Sequence, residues 1–361
     1  MAIRIMHIGV GRRGQHWLDY VRDYADAVSV ACVDPDPQVL ETVRKKCGQN
    51  LCQYFSSVDS ALINVSADAA LIASPSQLHS EHALRALEAG LAVMVEKPFA
   101  PSVQGALRIV QKARTKGRQA LVAENYRFAR AERTVRKLIK DGIAGKIMSV
   151  TLTDRRRLPS REQGAWVAQM DYAQLKEIAI HHFDSLRSFF GSPPTEMTVR
   201  VFNPAWSDYR HGACTEALIE MEEGIHIQYL GTLTSHRYGF SLWIEGEKGV
   251  VWTNRKWVLW RPRGSRWFRP LKQTKVPKGD EIPYPREGTT SLLNSLRDAV
   301  LHGQEAETSG SDNLWTLAMV EAGVRSAKEG RTVNIPKLFE EVSGTEAIVE
   351  LSEKSLGQDG Y

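Results

Sequence analysis

The chain has 361 residues, 42% of them hydrophobic and 25% charged, which indicates a globular protein with two buried cores and excludes a disordered or fibrous one. Its net charge of +5 is too dilute to indicate a nucleic-acid partner, although it would favour an anionic substrate or cofactor. The sequence shows neither an apolar run of membrane-spanning length nor a leader ahead of the first predicted strand, so we expect a cytoplasmic protein that does not enter a membrane.

The first third of the sequence alternates short apolar runs with amphipathic stretches of helical length. The apolar runs are Ile3–Gly9, Val28–Val33, Ala69–Ala73, Ala92–Glu96 and Gln119–Ala123. Strands that are apolar on both faces and separated by helices form parallel sheets with helices on both sides. This part of the chain is therefore predicted to be of the α/β class, with a doubly wound parallel sheet.

A glycine-rich turn, Gly9-Val10-Gly11-Arg12-Arg13-Gly14, directly follows the first predicted strand and opens the first predicted helix. Glycines at these positions allow a tight turn, a close approach of the backbone to a pyrophosphate and a helix–strand contact. The start of the helix offers amide groups to the phosphates. We therefore predict a dinucleotide-binding Rossmann domain over residues 1–124. Arg12 and Arg13 are candidates for phosphate contact, and exposure to solvent is the open alternative.

Asp34 ends the second predicted strand, 20 residues after Gly14. An acidic side chain at this distance binds both ribose hydroxyls of the adenosine and repels a 2′-phosphate. The cofactor is therefore predicted to be NAD, which Asp34 favours over NADP. The alternative is that Asp34 is a turn residue before Pro35.

After residue 125 the pattern changes to short β-rich runs with period-two alternation. These runs are Ile147–Thr153, Met197–Phe202, Glu216–Met221, Ile225–Thr232, Phe240–Glu245 and Val250–Trp260. Such alternation is typical of a sheet with one face in solvent. We predict an α+β domain with a large, mainly antiparallel open sheet over residues 125–310. A closing helix and strand are predicted for 311–336, and a C-terminal arm for 337–361.

The segment that begins at Lys176 is predicted to be a helix with two contrasting faces. Its apolar stripe consists of Ala179, Phe183, Leu186 and Phe190, and its titratable row consists of Glu177, His181, Asp184 and Ser188. The two sets repeat at the same helical steps on opposite sides of the axis. A histidine in such a row is suited to acid–base chemistry near neutral pH. A solvated helix face is the alternative.

Metal and nucleic-acid sites are not expected. Glu177 and His181 have the spacing of a zinc pair, but the sequence places neither a cysteine nor a third histidine to complete the set. The arginines and tryptophans of residues 257–269 lie in predicted hairpin strands, so we do not expect nucleic-acid binding there. The four cysteines are interpreted as free thiols in a reducing compartment, and they are Cys32, Cys47, Cys52 and Cys214.

Several segments together resemble the glucose–fructose oxidoreductase/inositol dehydrogenase family over about residues 1–336. They are the glycine-rich turn, Ala73-Ser74-Pro75-Ser76-Gln77-Leu78-His79, Val95-Glu96-Lys97-Pro98 and Glu124-Asn125-Tyr126-Arg127. The Glu-Lys-Pro sequence after a predicted strand is much more specific than the glycines alone. The resemblance implies NAD-dependent oxidation of a secondary hydroxyl on a sugar, a cyclic polyol or a sugar derivative. It also implies a homodimer or homotetramer that forms through the C-terminal sheet.

The resemblance implies that Lys97 lies beside the nicotinamide and the substrate hydroxyl. A lysine at the carboxyl end of a strand in such a sheet can exchange a proton with an alcohol. A structural pair between Lys97 and Glu96 is the alternative. The other residues implied to lie beside the cofactor are Ser74, Pro75, His79 and Glu96.

In the family, an aspartate and a histidine four residues later point at the substrate from a helix. By resemblance His181 is the catalytic histidine, and Glu177 stands at the aspartate position, where we expect it to orient His181. The glutamate departs from the family pattern, as does the lead-in at residues 170–174. Tyr126, Arg127 and Arg156 are further candidates for substrate contact, with packing or a solvated strand end as the alternative.

Two alternative functions share the same cofactor fold. One is an NAD-binding sensor or regulator without catalysis, and the retention of Lys97 and His181 argues against it. The other is a glycosidase that uses tightly bound NAD for transient oxidation, elimination and re-reduction. Net formation of NADH distinguishes a dehydrogenase from such a glycosidase.

Overall fold

The structure, a computed structural model, describes residues 1–47, 52–158, 165–283 and 285–343. The chain divides into two compact units. The first contains Met1–Phe128 and Pro277–Leu314, and the second contains Ala129–Val276 and the chain that begins at Trp315. Residues 344–361 of the predicted C-terminal arm lie outside the described residues.

The first unit is built on a parallel sheet. Its strands are β1 (Ile3–Ile8), β2 (Ala27–Val33), β3 (Gln53–Phe55), β4 (Ala69–Ile72), β5 (Ala92–Val95) and β6 (Ala120–Val122). Among the described residues these six strands pair in parallel in the order β3-β2-β1-β4-β5-β6. The predicted doubly wound sheet is confirmed. Its strand order reverses between β1 and β4, the point at which sheets of this kind open a crevice for ligands.

Helices connect these strands, as the alternating pattern predicted. They are α1 (Arg12–Arg22), α2 (Pro37–Cys47), α3 (Val58–Asn64), α4 (His79–Glu88) and α5 (Val103–Thr115), with short 3₁₀ turns at Ser76–Leu78 and Asn125–Phe128. Trp17 of α1 is fully buried in one core with Ile5 and Leu71 of the sheet. Contacts of this kind hold the glycine-rich turn in place, because that turn joins β1 to α1.

The second unit contains a larger mixed sheet. Its strands are β7 (Ile147–Arg157), β8 (Pro194–Phe202), β9 (Cys214–Met221), β10 (Ile225–Thr232), β11 (Thr234–Gly246), β12 (Gly249–Thr253), β13 (Val258–Pro262), β14 (Arg269–Pro270) and β15 (Val333–Asn334). Among the described residues the order is β14-β13-β12-β11-β7-β10-β9-β8-β15, antiparallel except for β7 with β10. The mainly antiparallel sheet is therefore confirmed. The helices of this stretch are α6 (Arg130–Lys140), α7 (Ala165–Ala168) and α8 (Ile180–Phe190), which follows a π-helical turn at Leu175–Ala179.

The predicted β-rich run Val250–Trp260 contains two strands in the structure. Asn254 lies between β12 and β13, and its side-chain oxygen accepts hydrogen bonds from the backbone N–H groups of Lys256 and Trp257. Arg255 takes a left-handed conformation with φ of 68°. This side-chain-stabilised turn reverses the chain, a feature that hydrophobic alternation alone does not reveal.

Residues 125–310 were predicted to form the sheet domain, but α9 (Thr289–His302) within this range belongs to the first unit. Its apolar face, with Leu292, Leu293 and Leu296, is buried in the core that contains Trp17. An apolar helix face does not encode which of two sheets it covers. Only the packing of distant residues decides that.

The C-terminal part of the described chain contains α10 (Gly310–Glu329), β15 and α11 (Ile335–Ser343). The predicted closing helix and strand are present, and residues 337–343 of the predicted C-terminal arm belong to α11. Phe339 is fully buried and stacks on Trp315 with ring centroids 5.0 Å apart. Within the described chain, every helix is too short or too polar to cross a bilayer.

Candidate functional site

The glycine-rich turn after β1 lies directly against the segment that follows β4. Gly9 has a φ of 83°, and a Cβ at this position would come within 2.4 Å of the backbone nitrogen of Ser74. A Cβ on Gly14 would come within 2.1 Å of the carbonyl oxygen of Gly9. Only glycine fits at these two positions, which keeps the turn at the point where the strand order reverses.

Gly11 is different, because a Cβ there would meet nothing within 4 Å among the described residues. Gly11 is the N-cap residue of α1 and, as a glycine, provides no side-chain cap for the first amide groups of the helix. There is therefore open space next to Gly11 at the start of α1. A ligand in this space can approach the backbone closely. Such a start of a helix fits the pyrophosphate of a dinucleotide.

Substitution by alanine is expected to have different effects at Gly14 and at Gly11. Gly14→Ala should destabilise the first unit by about 1–3 kcal/mol, since the added methyl group overlaps the backbone of Gly9. Gly11→Ala should fold with the stability of the parent chain but lose NAD affinity, because its methyl group enters the space left for phosphate. Thermal unfolding and NAD titration of both variants measure this. A Gly11→Ala chain that binds NAD normally would contradict the assignment.

Asp34 lies beside the turn, as predicted from its spacing. One carboxylate oxygen accepts a hydrogen bond from the backbone N–H of Val10 at 3.0 Å, and the other accepts one from Asp36 at 3.1 Å. An ionised carboxylate can accept about four hydrogen bonds. Asp34 is therefore held in place by the turn and retains capacity to accept hydroxyl groups.

Arg13 and Glu96, both predicted to contact the cofactor, form an ion pair with each other. The Arg13 Nε lies 2.5 Å from Glu96 Oε1, and the Trp17 indole donates a hydrogen bond to the same oxygen at 2.7 Å. Burial alone would raise the pKa of Glu96, but Arg13, these hydrogen bonds and nearby Lys97 hold it below its usual value. The Arg13 guanidinium also lies 5.3 Å from the centre of the Trp17 ring. These contacts give Arg13 and Glu96 a structural role beneath the turn, while Arg12 is exposed.

His79 connects the segments that follow β4 and β5. It is almost fully buried, with Nδ1 2.7 Å from the Pro98 carbonyl oxygen and Nε2 2.8 Å from that of Ser74. Burial lowers the pKa of His79 in spite of these two contacts, which favour the protonated ring. His79 therefore positions both segments, whereas Pro75 is exposed at the tip of the first.

Lys97 directly follows β5, at the same edge of the parallel sheet as the glycine-rich turn and Asp34. Its side chain is partly exposed, and its backbone N–H donates to Glu96 Oε2 at 3.3 Å. The chain positions Lys97 from both sides, through Glu96 before it and through the His79 contact to Pro98 after it. The first unit therefore brings together a dinucleotide cradle and a lysine.

In the second unit, His181 and His182 begin α8, and both are buried. The Nδ1 atom of His182 lies 3.0 Å from the Tyr229 hydroxyl, and its Nε2 atom lies 3.4 Å from Asp154. Burial, reinforced by the charges of Arg255 and Arg156, lowers the pKa of His182 well below its usual value. His182 is thus a neutral member of a buried polar cluster that holds α8 against the sheet.

The alternative of a solvated helix face does not hold for the titratable row, because this helix is buried on both sides. His181 is 6% exposed and Asp184 is fully buried, with Thr316 donating a hydrogen bond to Asp184 at 3.3 Å. Glu177 is partly exposed and lies in the π-helical turn before α8. Four residues later, His181 lies in the first turn of α8, so the two side chains stand in consecutive turns of one helical stretch.

The other candidate substrate residues have protein partners. Arg127 is buried in the first unit, where it donates to the Glu307 carbonyl at 2.6 Å and to Asp312 at 2.7 Å. These contacts favour a structural role in place of the predicted substrate contact. Tyr126, next to it, is buried as well. In the second unit, Arg156 pairs with Asp154 at 2.7 Å on the buried face of β7.

Asp154 was missed by the sequence analysis, although it is the residue that joins Arg156 to His182. A signal was present: on β7 the inward positions carry Val150 and Leu152, and Asp154 comes next in the same alternation. A carboxylate at a core-facing position requires buried partners. In the described part of the chain, no three His, Cys, Asp or Glu side chains lie close enough together to hold a metal ion.

Comparison with known proteins agrees with this arrangement. Residues 3–124 match a family model described as oxidoreductase family, NAD-binding Rossmann fold, and residues 133–252 match the GFO/IDH/MocA C-terminal domain. The chain is 27% identical to inositol 2-dehydrogenase of Rhizobium meliloti (strain 1021) over 358 residues, covering 93% of this chain and 100% of that protein.

Two solved structures show the same fold. An oxidoreductase from Agrobacterium radiobacter, in complex with NAD⁺, L-tartaric acid and magnesium, has a TM-score of 0.84 at 20% identity, covering 94% of this chain and 100% of that one. The WlbA dehydrogenase from Bordetella pertussis, in complex with NADH and UDP-GlcNAcA, has a TM-score of 0.78 at 23% identity, covering 92% and 99%.

Proposed function

This chain belongs to the Gfo/Idh/MocA family of NAD-binding oxidoreductases, and from that premise we propose that it oxidises a secondary hydroxyl of a sugar, a cyclic polyol or a sugar derivative. The observation that carries the proposal is the edge of the parallel sheet in the first unit. There the glycine-rich turn, Asp34 and Lys97 follow the carboxyl ends of β1, β2 and β5. A cofactor cradle and a proton-exchanging side chain thus share one edge.

Each side chain has a defined task in this proposal. The amide groups at the start of α1 bind the pyrophosphate, and Asp34 accepts hydrogen bonds from the ribose. Lys97 and His181 take up and return the hydroxyl proton, and Glu177 orients His181. Bound NAD⁺ supplies the hydride acceptor. Alignment of the alcohol with the nicotinamide contributes about 7–11 kcal/mol to lowering the barrier.

Asp34→Ala should weaken NAD binding by roughly 10- to 150-fold, because hydrogen bonds to a charged group contribute about 1.5–3 kcal/mol. NADP binding should suffer less, since the repulsion of its 2′-phosphate is also removed. Asp36→Asn is the matched control, as Asp36 is an exposed neighbour that caps α2 through the Gln38 amide. Fluorescence titration with both cofactors measures the effect. Unchanged NAD affinity in Asp34→Ala would refute the ribose assignment.

The substrate class is tested by incubating the chain and NAD⁺ with sugars, inositols, sugar acids and glycosides. A dehydrogenase should form NADH in proportion to the oxidised product. A glycosidase would instead release an aglycone without net formation of NADH, and the protein would retain its NAD through dialysis. Binding of NAD without turnover of any compound would indicate a sensor.

We also propose that the chain forms homodimers or homotetramers through the open face of the large sheet. Leu218, Gln228, Thr151 and Trp243 are cross-strand partners on β9, β10, β7 and β11, so they form one row on that face. Leu218 is 61% exposed and Trp243 is 37% exposed. Light scattering should give two or four chains for the parent and a lower mass for Leu218→Asp. A monomeric parent chain would contradict the proposal.

A further inference from the structure

Three of the four cysteines surround the outer edge of the parallel sheet in the first unit, and the proposed reaction uses none of them. Cys32 lies on β2, and Cys52 directly precedes the neighbouring strand β3. Their sulfur atoms are 3.4 Å apart. In the register of the two strands, Cys32 is opposite Tyr54, two residues after Cys52. The contact therefore follows from strand pairing.

The two thiols differ in environment. Cys32 is fully buried in a core cluster with Val10 of the glycine-rich turn and Leu18 of α1. Cys52 is partly exposed. Hydrogen bonds from the Cys32 thiol and the Tyr54 hydroxyl, against the effect of burial, lower the pKa of Cys52 to about 7. The same contact, together with burial, raises the pKa of Cys32. Cys52 is therefore the thiol of the pair whose thiolate, the reactive form, is favoured.

We propose that Cys32 and Cys52 are a reversible thiol pair, which a peroxide oxidises to a disulfide that links β2 to β3. The two sulfur atoms are already 3.4 Å apart, and a disulfide bond is about 2.05 Å long. Only a small side-chain movement is therefore needed to form the bond. The bond would enclose the segment between two residues 20 positions apart, which contains α2 and the ribose-binding Asp34. The bond would thus form on the strand that carries Asp34 at its end.

The chemistry balances with hydrogen peroxide as the oxidant. The Cys52 thiolate attacks one peroxide oxygen, the O–O bond breaks, and the departing hydroxide takes up a proton to give water and a sulfenic acid. The Cys32 sulfur then attacks the sulfenic sulfur, the S–O bond breaks, and a second water leaves with the Cys32 proton. Two thiols and one peroxide give one disulfide and two waters. A dithiol reductant reverses the reaction.

The test is controlled oxidation of the full chain with hydrogen peroxide, followed by thiol counting and non-reducing peptide mass spectrometry. The count of free thiols should fall from four to two per chain, and the peptides that contain Cys32 and Cys52 should be joined. Dithiothreitol should restore four thiols. The oxidised chain should also unfold at a higher temperature, because the bond restrains the unfolded chain.

Single substitutions separate this pair from its neighbours. Cys52→Ser, at a partly exposed position, should keep all three remaining thiols in the reduced form under the same treatment. Cys47→Ser and Cys214→Ser should still form the link. A disulfide between Cys47 and Cys52, a disulfide between two chains, or Cys52 converted to sulfinic acid with Cys32 reduced would each overturn the proposal. None of these measurements depends on NAD or on a substrate. Their outcome therefore tests the thiol pair independently of the proposed reaction.

Discussion

Replacing Lys97 by alanine is expected to slow turnover by about 10²–10⁴-fold, the usual contribution of a positioned acid or base. NAD affinity should stay close to that of the parent chain, because the cradle is built by the glycine-rich turn and Asp34. Lys97 is partly exposed, so the fold should also be retained. Steady-state kinetics together with NAD titration measure both quantities.

Lys97→Arg is the matched control for this prediction. It preserves the positive charge, but a guanidinium stays protonated at any working pH and cannot exchange a proton. We therefore expect Lys97→Arg to be as slow as Lys97→Ala. Recovery of activity by arginine would assign Lys97 an electrostatic role, and equal losses of turnover and NAD affinity would assign it to binding or structure.

His181→Asn should likewise reduce turnover by about 10²–10⁴-fold and remove one limb of the pH–rate profile. Asparagine preserves a polar side chain of similar size at this buried position but does not titrate. NAD affinity should stay close to that of the parent chain, because the glycine-rich turn and Asp34 bind the cofactor in this proposal. The pH–rate profile of the parent and the variant is the decisive measurement.

His182→Asn is the adjacent control, and its expected effect is on stability. His182 contacts Tyr229 and Asp154, and the loss of one partner leaves buried polar groups unsatisfied at a cost of about 1–3 kcal/mol. The pH–rate profile should keep both limbs, because burial holds His182 neutral. If His182→Asn removed the limb and His181→Asn did not, the roles of the two histidines would be exchanged.

The dinucleotide-binding fold could be predicted because its signals are local in the sequence. The glycines, the strand before them and Asp34 all lie within the first 34 residues, and each constrains only its own neighbourhood. Period-two alternation likewise predicted most strands of the large sheet. It did not locate the turn within residues 250–260, where the Asn254 side chain accepts backbone hydrogen bonds between two strands.

The candidate site was predictable in part. The resemblance of the Glu-Lys-Pro sequence made Lys97 a candidate, but it did not reveal the contacts of its neighbour Glu96, whose partner Arg13 is 83 residues away. Arg127 similarly meets Asp312 across 185 residues. A charged residue in a sequence looks equally suited to a ligand or to a buried ion pair, because the distinction depends on which opposite charge the fold brings near.

By itself, the sequence determined the fold class, the order of strands and helices in the first unit and the residue types available for cofactor binding. Tertiary structure alone decided that α9 packs on the parallel sheet, that α8 is buried on both sides and that Cys32 meets Cys52. The physical reason is that backbone conformation and amphipathic pattern depend on adjacent residues. Burial, ion pairing and thiol contact depend on surfaces that meet only after the chain has folded.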